Sequence, residues 1–166
     1  MTRLISLLTA IARIATGLCF GAIIVAVVLQ LLGRSGVIPT VIWTEELTRF
    51  SLLWLVACGA GLGLRSGDLV NVDLVCEALP KRGPWILRLI AAAVTAVFGL
   101  MLVPSAWLYT SIGARQTAPA LGIKMDWIHA SAMVALLLLG IFAALRVIAM
   151  LTGDEDGLPQ RGPEDF

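Results

Sequence analysis

Long apolar stretches separated by short polar turns run through most of this chain. Four of the stretches are long enough to cross the hydrocarbon core of a bilayer, which takes about 20 helical residues. They lie at about residues 14–32, 43–64, 85–109 and 126–151. The pattern predicts an all-α membrane protein with four transmembrane helices, in a single domain over residues 1–151.

The segments outside these spans are short. Residues 2–13 place apolar side chains between two arginines, which is typical of an interfacial turn. Residues 69–79 mix acids with aliphatic residues, so they form either a short interfacial helix between spans two and three or an extension of the second span. Residues 152–166 are rich in Gly, Pro and acids, and we expect a disordered cytoplasmic tail there.

Single residues refine the helix ends. Pro104 falls inside the third span and is expected to bend its last turns. Asp126 is suited to be the N-cap of the fourth span. Arg146 is placed to extend its charged end toward the interface from the far part of that span.

Basic residues set the expected orientation. With the N-terminus inside, eight of the 12 Lys and Arg residues lie on the cytoplasmic side and four on the opposite side. Cytoplasmic loops usually carry the excess of Lys and Arg, so we expect both termini in the cytoplasm. The start of the second span then lies on the outer side.

The composition supports a membrane protein and removes several functions. The chain is 59% hydrophobic and only 14% charged, whereas soluble domains are about half apolar and about a quarter charged. A net charge of +1 does not suit nucleic-acid binding. Three separated cysteines and one histidine supply neither a metal-ligand pattern nor paired haem ligands. We therefore expect no cofactor, no metal and no catalytic site.

The second span has two unlike faces, as the helical rotation of about 100° per residue shows. The aromatic stripe consists of Trp43, Leu47, Phe50 and Trp54. The polar stripe on the opposite side consists of Glu45, Arg49, Leu52, Val56, Gly59 and Gly63, and Glu46 lies between the two stripes.

Two features of the polar stripe concern its contacts. Glu45 precedes Arg49 by four residues, the order that favours an ion pair. The spacings Gly59-xxx-Gly63 and Ala57-xxx-Gly61 permit close approach of another helix. Either Glu45 and Arg49 pair with each other and close the helical domain, or the stripe is a surface for another protein.

A transport path through this chain alone is not favoured. Ion and proton paths use charged residues at mid-membrane depth, and residues 14–32 and 89–109 contain none. Two alternatives stay open: a membrane redox subunit linked to quinone or haem, and a self-sufficient small transporter.

An ordered set of residues resembles a known family. The set begins with Glu45-Glu46-Leu47-Thr48-Arg49 and continues with Trp54, Gly59, Arg65 and Val72-Asp73-Leu74. Gln116-Thr-Ala-Pro-Ala-Leu-Gly-Ile123, before an aromatic-led last helix, completes it. Together these residues resemble the small membrane subunit of tripartite ATP-independent periplasmic (TRAP) transporters, the DctQ-like family, over about residues 14–151.

The resemblance implies a subunit of a sodium-coupled uptake system for an organic acid. In that family a large multi-span subunit carries the substrate and sodium sites, and a periplasmic binding protein delivers the solute. The small subunit packs against the large one as a fixed support in the bacterial inner membrane, among membrane lipid, where it is also placed to help dock the binding protein.

Carried onto this chain, the resemblance implies interface or structural roles and no substrate ligand. With the glycines of the polar stripe included, the candidates are Glu45, Glu46, Arg49, Trp54, Gly59, Gly63, Arg65 and Asp73. Two positions depart from the family pattern. Asp68 stands where a histidine is common, which puts in doubt any loop contact that needs an imidazole. Lys124 stands where a proline is common, which suggests a less rigid approach to the fourth span.

Overall fold

The structure of the protein, a computed structural model, describes residues 2–66 and 83–153, with side chains described for 6–64 and 83–153. Its helices are α1 Thr2–Arg34, α2 Trp43–Ser66, α3 Gly83–Met101, α4 Val103–Gly113 and α5 Asp126–Thr152. With α3 and α4 taken as one span, four helical stretches of the described residues are long and apolar enough to cross a membrane. The all-α class and its four spans are confirmed, and the orientation of the termini stays a prediction.

Several expectations concern residues outside this description. Asp68 and Asp73 lie there, and so do residues 69–79 and the tail after residue 153. The two alternatives for 69–79 and the disordered tail therefore stay predictions.

The first helix is longer than the predicted first span. The expected interfacial turn and the span form one continuous helix, Thr2–Arg34. Residues 2–16 contain neither Gly nor Pro, so nothing in that stretch interrupts helical hydrogen bonding. The expectation of a separate turn was wrong for this reason.

A Schellman motif ends α1. The Val37 N–H donates to the Leu32 carbonyl at 3.1 Å, and the Gly36 N–H donates to the Gly33 carbonyl at 3.3 Å. Gly36 has φ of +77°, the left-handed conformation that this motif requires and that glycine adopts most readily. The motif turns the chain toward the start of α2.

The third span is interrupted at Leu102, between α3 and α4. Pro104 has no N–H and its ring clashes with the carbonyl four residues earlier. Leu102 still donates its N–H to the Phe98 carbonyl at 3.2 Å, so the break is local. The sequence predicts a bend at Pro104, whereas the structure has an interruption there, and the helix then continues as α4 to Gly113, beyond the expected end at residue 109.

Two compact units divide the chain. The first comprises the described residues of Met1–Gly59 and Pro104–Ala135. Within it, Gln30 Nε2 donates to Thr48 Oγ1 at 3.2 Å, which links α1 to α2. Its core cluster consists of Phe50, Ala118 and Ile128, with Leu121 and Met125 packed against it.

In the same unit, the end of α4 lies against the start of α5. A Cβ atom at Gly113 would lie 2.6 Å from His129 Nδ1 and 2.8 Å from the Asp126 nitrogen, so a side chain does not fit. The rings of Tyr109 and His129 stack with centroids 4.0 Å apart. The one histidine of the chain is thus used in packing.

The N-cap of α5 lies one residue earlier than expected. The Met125 carbonyl accepts the N–H groups of Ile128 at 3.1 Å and His129 at 2.9 Å. Asp126 is the first helical residue, and its carboxylate accepts the Trp127 N–H at 2.8 Å. An acid in the first turn still interacts favourably with the helix dipole.

The second unit comprises the described residues of Ala60–Val103 and Leu136–Phe166. Its helices approach closely at glycines: a Cβ at Gly99 would lie 3.1 Å from the Gly140 backbone, and one at Gly61 would lie 3.0 Å from Leu138 Cβ. Arg146 Nη1 donates to the Leu64 carbonyl in the last turns of α2 at 3.4 Å. The Arg146 guanidinium therefore binds a helix C-terminus within the chain, where a cation is favoured, rather than only extending to the interface as expected.

Candidate functional site

The charged start of α2 forms one wall of an open groove in the first unit, with a volume of about 570 Å³. The residues that lead into α2 also line the groove, and the loop between α4 and α5 supplies its second wall. The lining residues are Thr40, Val41, Ile42, Trp43, Glu45, Glu46, Arg49, Pro119 and Ala120. Two separate motifs of the sequence, the acidic start of the second span and the loop before the last helix, therefore meet at one place.

The loop is a short hairpin, residues 116–125. The Ala118 N–H donates to the Ile123 carbonyl at 2.8 Å, and the Met125 N–H donates to the Gln116 carbonyl at 3.0 Å. Between these bonds, Thr117 and Lys124 form an antiparallel bridge. Gly122 has φ of +67°, which lets the chain reverse after the tip.

Lys124 occupies a position of the hairpin where its own N–H is not needed for pairing. The two bonds that flank the bridge use the N–H groups of Ala118 and Met125, so Thr117 and Lys124 form a non-hydrogen-bonded pair. A proline at position 124 would therefore cost no bond of this ladder. The less rigid approach expected from Lys124 stays a prediction.

Glu46 binds the tip of the hairpin. Both of its carboxylate oxygens lie 3.1 Å from the Ala120 nitrogen, and Oε2 accepts the Leu121 N–H at 2.9 Å. Successive backbone N–H groups in a tight turn form a concave site for an anion, and hydrogen bonds to an ionised acceptor are stronger than neutral ones. Glu46 is half-buried and serves as an internal contact of the chain.

Glu45 and Arg49 have a different environment. Both side chains are exposed and both line the groove. Among the residues that the structure describes, no ion pair joins them, so the pairing favoured by their spacing is not formed. Both charges are accessible from the groove.

The two stripes of α2 are used differently. On the aromatic stripe Phe50 is buried in the core cluster and Trp54 is half-buried. On the polar stripe Leu52 is 51% exposed and Val56 is 57% exposed. The described residues therefore cover Phe50 and part of Trp54, while they leave Trp43 and the middle of the polar stripe exposed.

The predicted glycine contacts are only partly used within the chain. Gly61 packs against Leu138 and Phe142, as the Ala57-xxx-Gly61 spacing permits. Apart from its chain neighbours and the backbone of its own helix, Gly59 has no described atom within 4 Å of the position that a Cβ would take. Gly59 is therefore open to contact from outside the chain.

The described residues that line the groove include none of the remaining candidates. Gly63 is half-buried, and Arg65 lies in the last turn of α2. Asp73 lies outside the described residues. The described part of the chain brings together three of the eight candidates, Glu45, Glu46 and Arg49, and it contains no cluster of His, Cys, Asp and Glu that could hold a metal ion.

Sequence reasoning missed two contacts that shape this region. The Glu46 bonds to the hairpin tip join residues 74 and 75 positions apart, and helical periodicity carries no information on such a distance. The close approach at Gly113 was also missed. Its only signal was a glycine near the end of a helix, which many helices have.

Comparison with known proteins identifies the family of this chain. The family model described as "Tripartite ATP-independent periplasmic transporters, DctQ component" matches residues 23–153. The chain belongs to this family. The match contains all of α2, the groove and the hairpin, so the resemblance expected from the motifs is confirmed. The DctQ family is a transporter component and not an enzyme family, and the chain is a multi-pass membrane protein.

Two curated relatives carry consistent names. The chain is similar to a TRAP transporter small permease protein of Haemophilus influenzae, with 23% identity over 65% of this chain and 67% of the relative. It is also similar to the C4-dicarboxylate TRAP transporter small permease protein DctQ of Vibrio cholerae, with 29% identity over 42% of this chain and 30% of the relative.

Proposed function

We propose that the chain is the small permease subunit of a sodium-coupled TRAP transporter in the bacterial inner membrane. In this role it braces a large multi-span subunit, which takes up a carboxylate-bearing solute delivered by a periplasmic binding protein. Membership of the DctQ family supports the subunit role. The name of the Vibrio cholerae relative, which specifies C4-dicarboxylates, supports a carboxylate substrate.

The uncovered polar stripe of α2 is the observation that carries the bracing role. Leu52 and Val56 are exposed, and Gly59 is open on its outer side. Small residues let two helix backbones approach closely in a membrane. We propose that a helix of the large subunit packs along this stripe, with Glu45 and Arg49 at its charged end.

The lack of charged residues in the first span and in most of the third supports a subunit rather than a complete transporter. The segments 14–32 and 89–109 contain no charged residue, and Arg146 binds a helix terminus. A path for sodium or a carboxylate solute needs polar groups at mid-membrane depth. The large subunit is expected to supply them.

Co-purification tests the proposal. A tagged chain should recover a large multi-span partner from membranes, and Val56→Trp should reduce that recovery because it adds bulk on the uncovered stripe. Val97→Trp is the matched control, since Val97 lies on α3 and is similarly exposed, at 65%. Solute transport by the chain alone in liposomes would contradict the bracing role. An equal loss of partner recovery with both variants would contradict the proposal that the large subunit packs on the polar stripe.

Glu45→Ala tests the charged end of the same stripe. The variant should weaken assembly with the large subunit more than it alters substrate affinity, because Glu45 is proposed to contact a subunit and not the solute. Unchanged assembly combined with changed substrate selectivity would indicate a direct ligand role instead.

A further inference from the structure

The carboxylates of the two neighbouring acids of α2 differ in their contacts. The Glu46 carboxylate accepts the N–H groups of Ala120 and Leu121, at 3.1 and 2.9 Å, whereas the Glu45 carboxylate makes no hydrogen bond to the described residues. The bonds within the hairpin use other donors, the N–H groups of Ala118, Gly122 and Met125. Without the Glu46 carboxylate, two adjacent N–H groups at the tip would lose their protein acceptor.

The hairpin contacts α2 at two levels, one helical turn apart. Phe50 forms a buried apolar cluster with Ala118, against which Leu121 packs. Glu46, four residues earlier, binds the backbone at the tip. Residues four apart lie on the same side of a helix, so the apolar contact directs the hairpin toward the side on which Glu46 lies.

We propose that Glu46 is a positioning residue, which holds the tip of the hairpin on α2 and thereby fixes the second wall of the groove. Pro119 and Ala120 form that wall, and their position depends on a carboxylate that a partner need not touch. Glu45 and Arg49 are then the charged groups that a partner reaches. The consequence for assembly rests on the proposed function, whereas the contact itself belongs to this chain alone.

Amide hydrogen exchange of the full-length chain in lipid nanodiscs tests the contact, read on peptides that cover residues 116–125. Glu46→Ala should raise the exchange rates of the Ala120 and Leu121 amides about tenfold or more, because it removes charge-assisted bonds. Amides in the middle of α5 should be unaffected. Glu45→Ala is the matched control, with the same change of charge at the neighbouring position, and should leave the tip within about twofold of the wild type.

Glu46→Gln separates positioning from charge. Its amide oxygen can still accept the tip N–H groups, through neutral bonds about half as strong, so its exchange rates should lie between those of the wild type and Glu46→Ala. Recovery of the large subunit should follow the same order. Suppose that Glu46→Gln reduces recovery as much as Glu46→Ala while still protecting the tip amides from exchange. A partner would then bind the charge of Glu46 directly, and the positioning role would be overturned.

The two proposals fail in different ways. Unchanged exchange at the tip in Glu46→Ala would overturn the positioning role, whatever happens to assembly. Raised exchange together with unchanged recovery of the large subunit would overturn the link between the hairpin and assembly. If the wild-type chain recovers no large partner while the exchange order holds, the proposed function is wrong and the contact stands.

Discussion

Each of the two compact units of the chain has its own kind of internal contact. In the first unit polar contacts join separate segments, beside the apolar cluster around Phe50: Gln30 binds Thr48 between helices, and Glu46 binds the hairpin tip. In the second unit the closest contacts are steric, and Gly99 and Gly140 bring the backbones of α3 and α5 together. The first unit also carries the groove, whereas the second is built mainly from apolar helix surfaces.

The difference indicates what each kind of contact can specify. A hydrogen bond between helices in a membrane contributes only about 0.6 kcal/mol on average, but it requires particular atoms in particular places. A close contact at a glycine requires no particular partner group. It does require that neither backbone carries a side chain there, because an added atom would displace the opposing backbone. Polar partners therefore help to set position in the first unit, and close approach in the second is set by the absence of side chains.

The strongest challenge to this contrast is Gly113, a steric contact inside the first unit. Gly113→Ala places a Cβ within 3 Å of His129 Nδ1 and of backbone atoms at the start of α5. We expect a loss of about 3 kcal/mol in the free energy of unfolding, since overpacking against backbone is not easily relieved. Unfolding by SDS titration in mixed micelles measures it. A loss below about 0.5 kcal/mol would mean that α5 moves away freely.

Gly99→Ala tests the steric contact of the second unit. The added Cβ would lie 3.1 Å from the Gly140 backbone and from the Leu136 carbonyl oxygen, and we expect a loss of about 2 kcal/mol on unfolding. Gly140→Ala should cost less, about 1 kcal/mol, because its nearest atoms belong to the movable side chain of Leu100. Gly59→Ala is the control without neighbours. The reverse order of the Gly99 and Gly140 variants would contradict the steric explanation.

The bond between Gln30 and Thr48 should have a smaller effect. A double-mutant cycle with Gln30→Leu and Thr48→Val is expected to give a coupling of about 0.6 kcal/mol in the free energy of unfolding. The Thr48 hydroxyl also donates to the Thr44 carbonyl, which the Thr48 single variant accounts for. A coupling as large as the Gly99 effect would remove the contrast between the two units.

Glu45 and Arg49 should show the smallest effect. They make no ion pair with each other in the described chain, so a cycle with Glu45→Ala and Arg49→Ala in the isolated chain should give a coupling below about 0.3 kcal/mol, at the low end for exposed pairs. The same cycle in the assembled transporter can give more if a partner orders both side chains. A coupling near 1 kcal/mol in the isolated chain would restore the ion pair that their spacing suggests.

Much of the fold could be predicted because apolar length and periodicity are local properties. The four spans follow from hydrophobic stretches, and the missing N–H of Pro104 predicts a disturbance of the third span, which the structure has as an interruption rather than the expected bend. Two local predictions were wrong for equally local reasons. No helix-breaking residue separates 2–13 from the first span, and the Met125 carbonyl accepts the first bonds of α5 in place of Asp126.

The sequence by itself determined the membrane class, the two stripes of α2 and the family resemblance, since each depends on residue types at short spacings. Only the tertiary structure decided that Glu46 binds the hairpin while Glu45 faces the groove, and that Gly61 is covered while Gly59 is open. Periodicity places a residue on a face of a helix. What that face meets depends on segments up to 82 residues away, whose approach is set by packing.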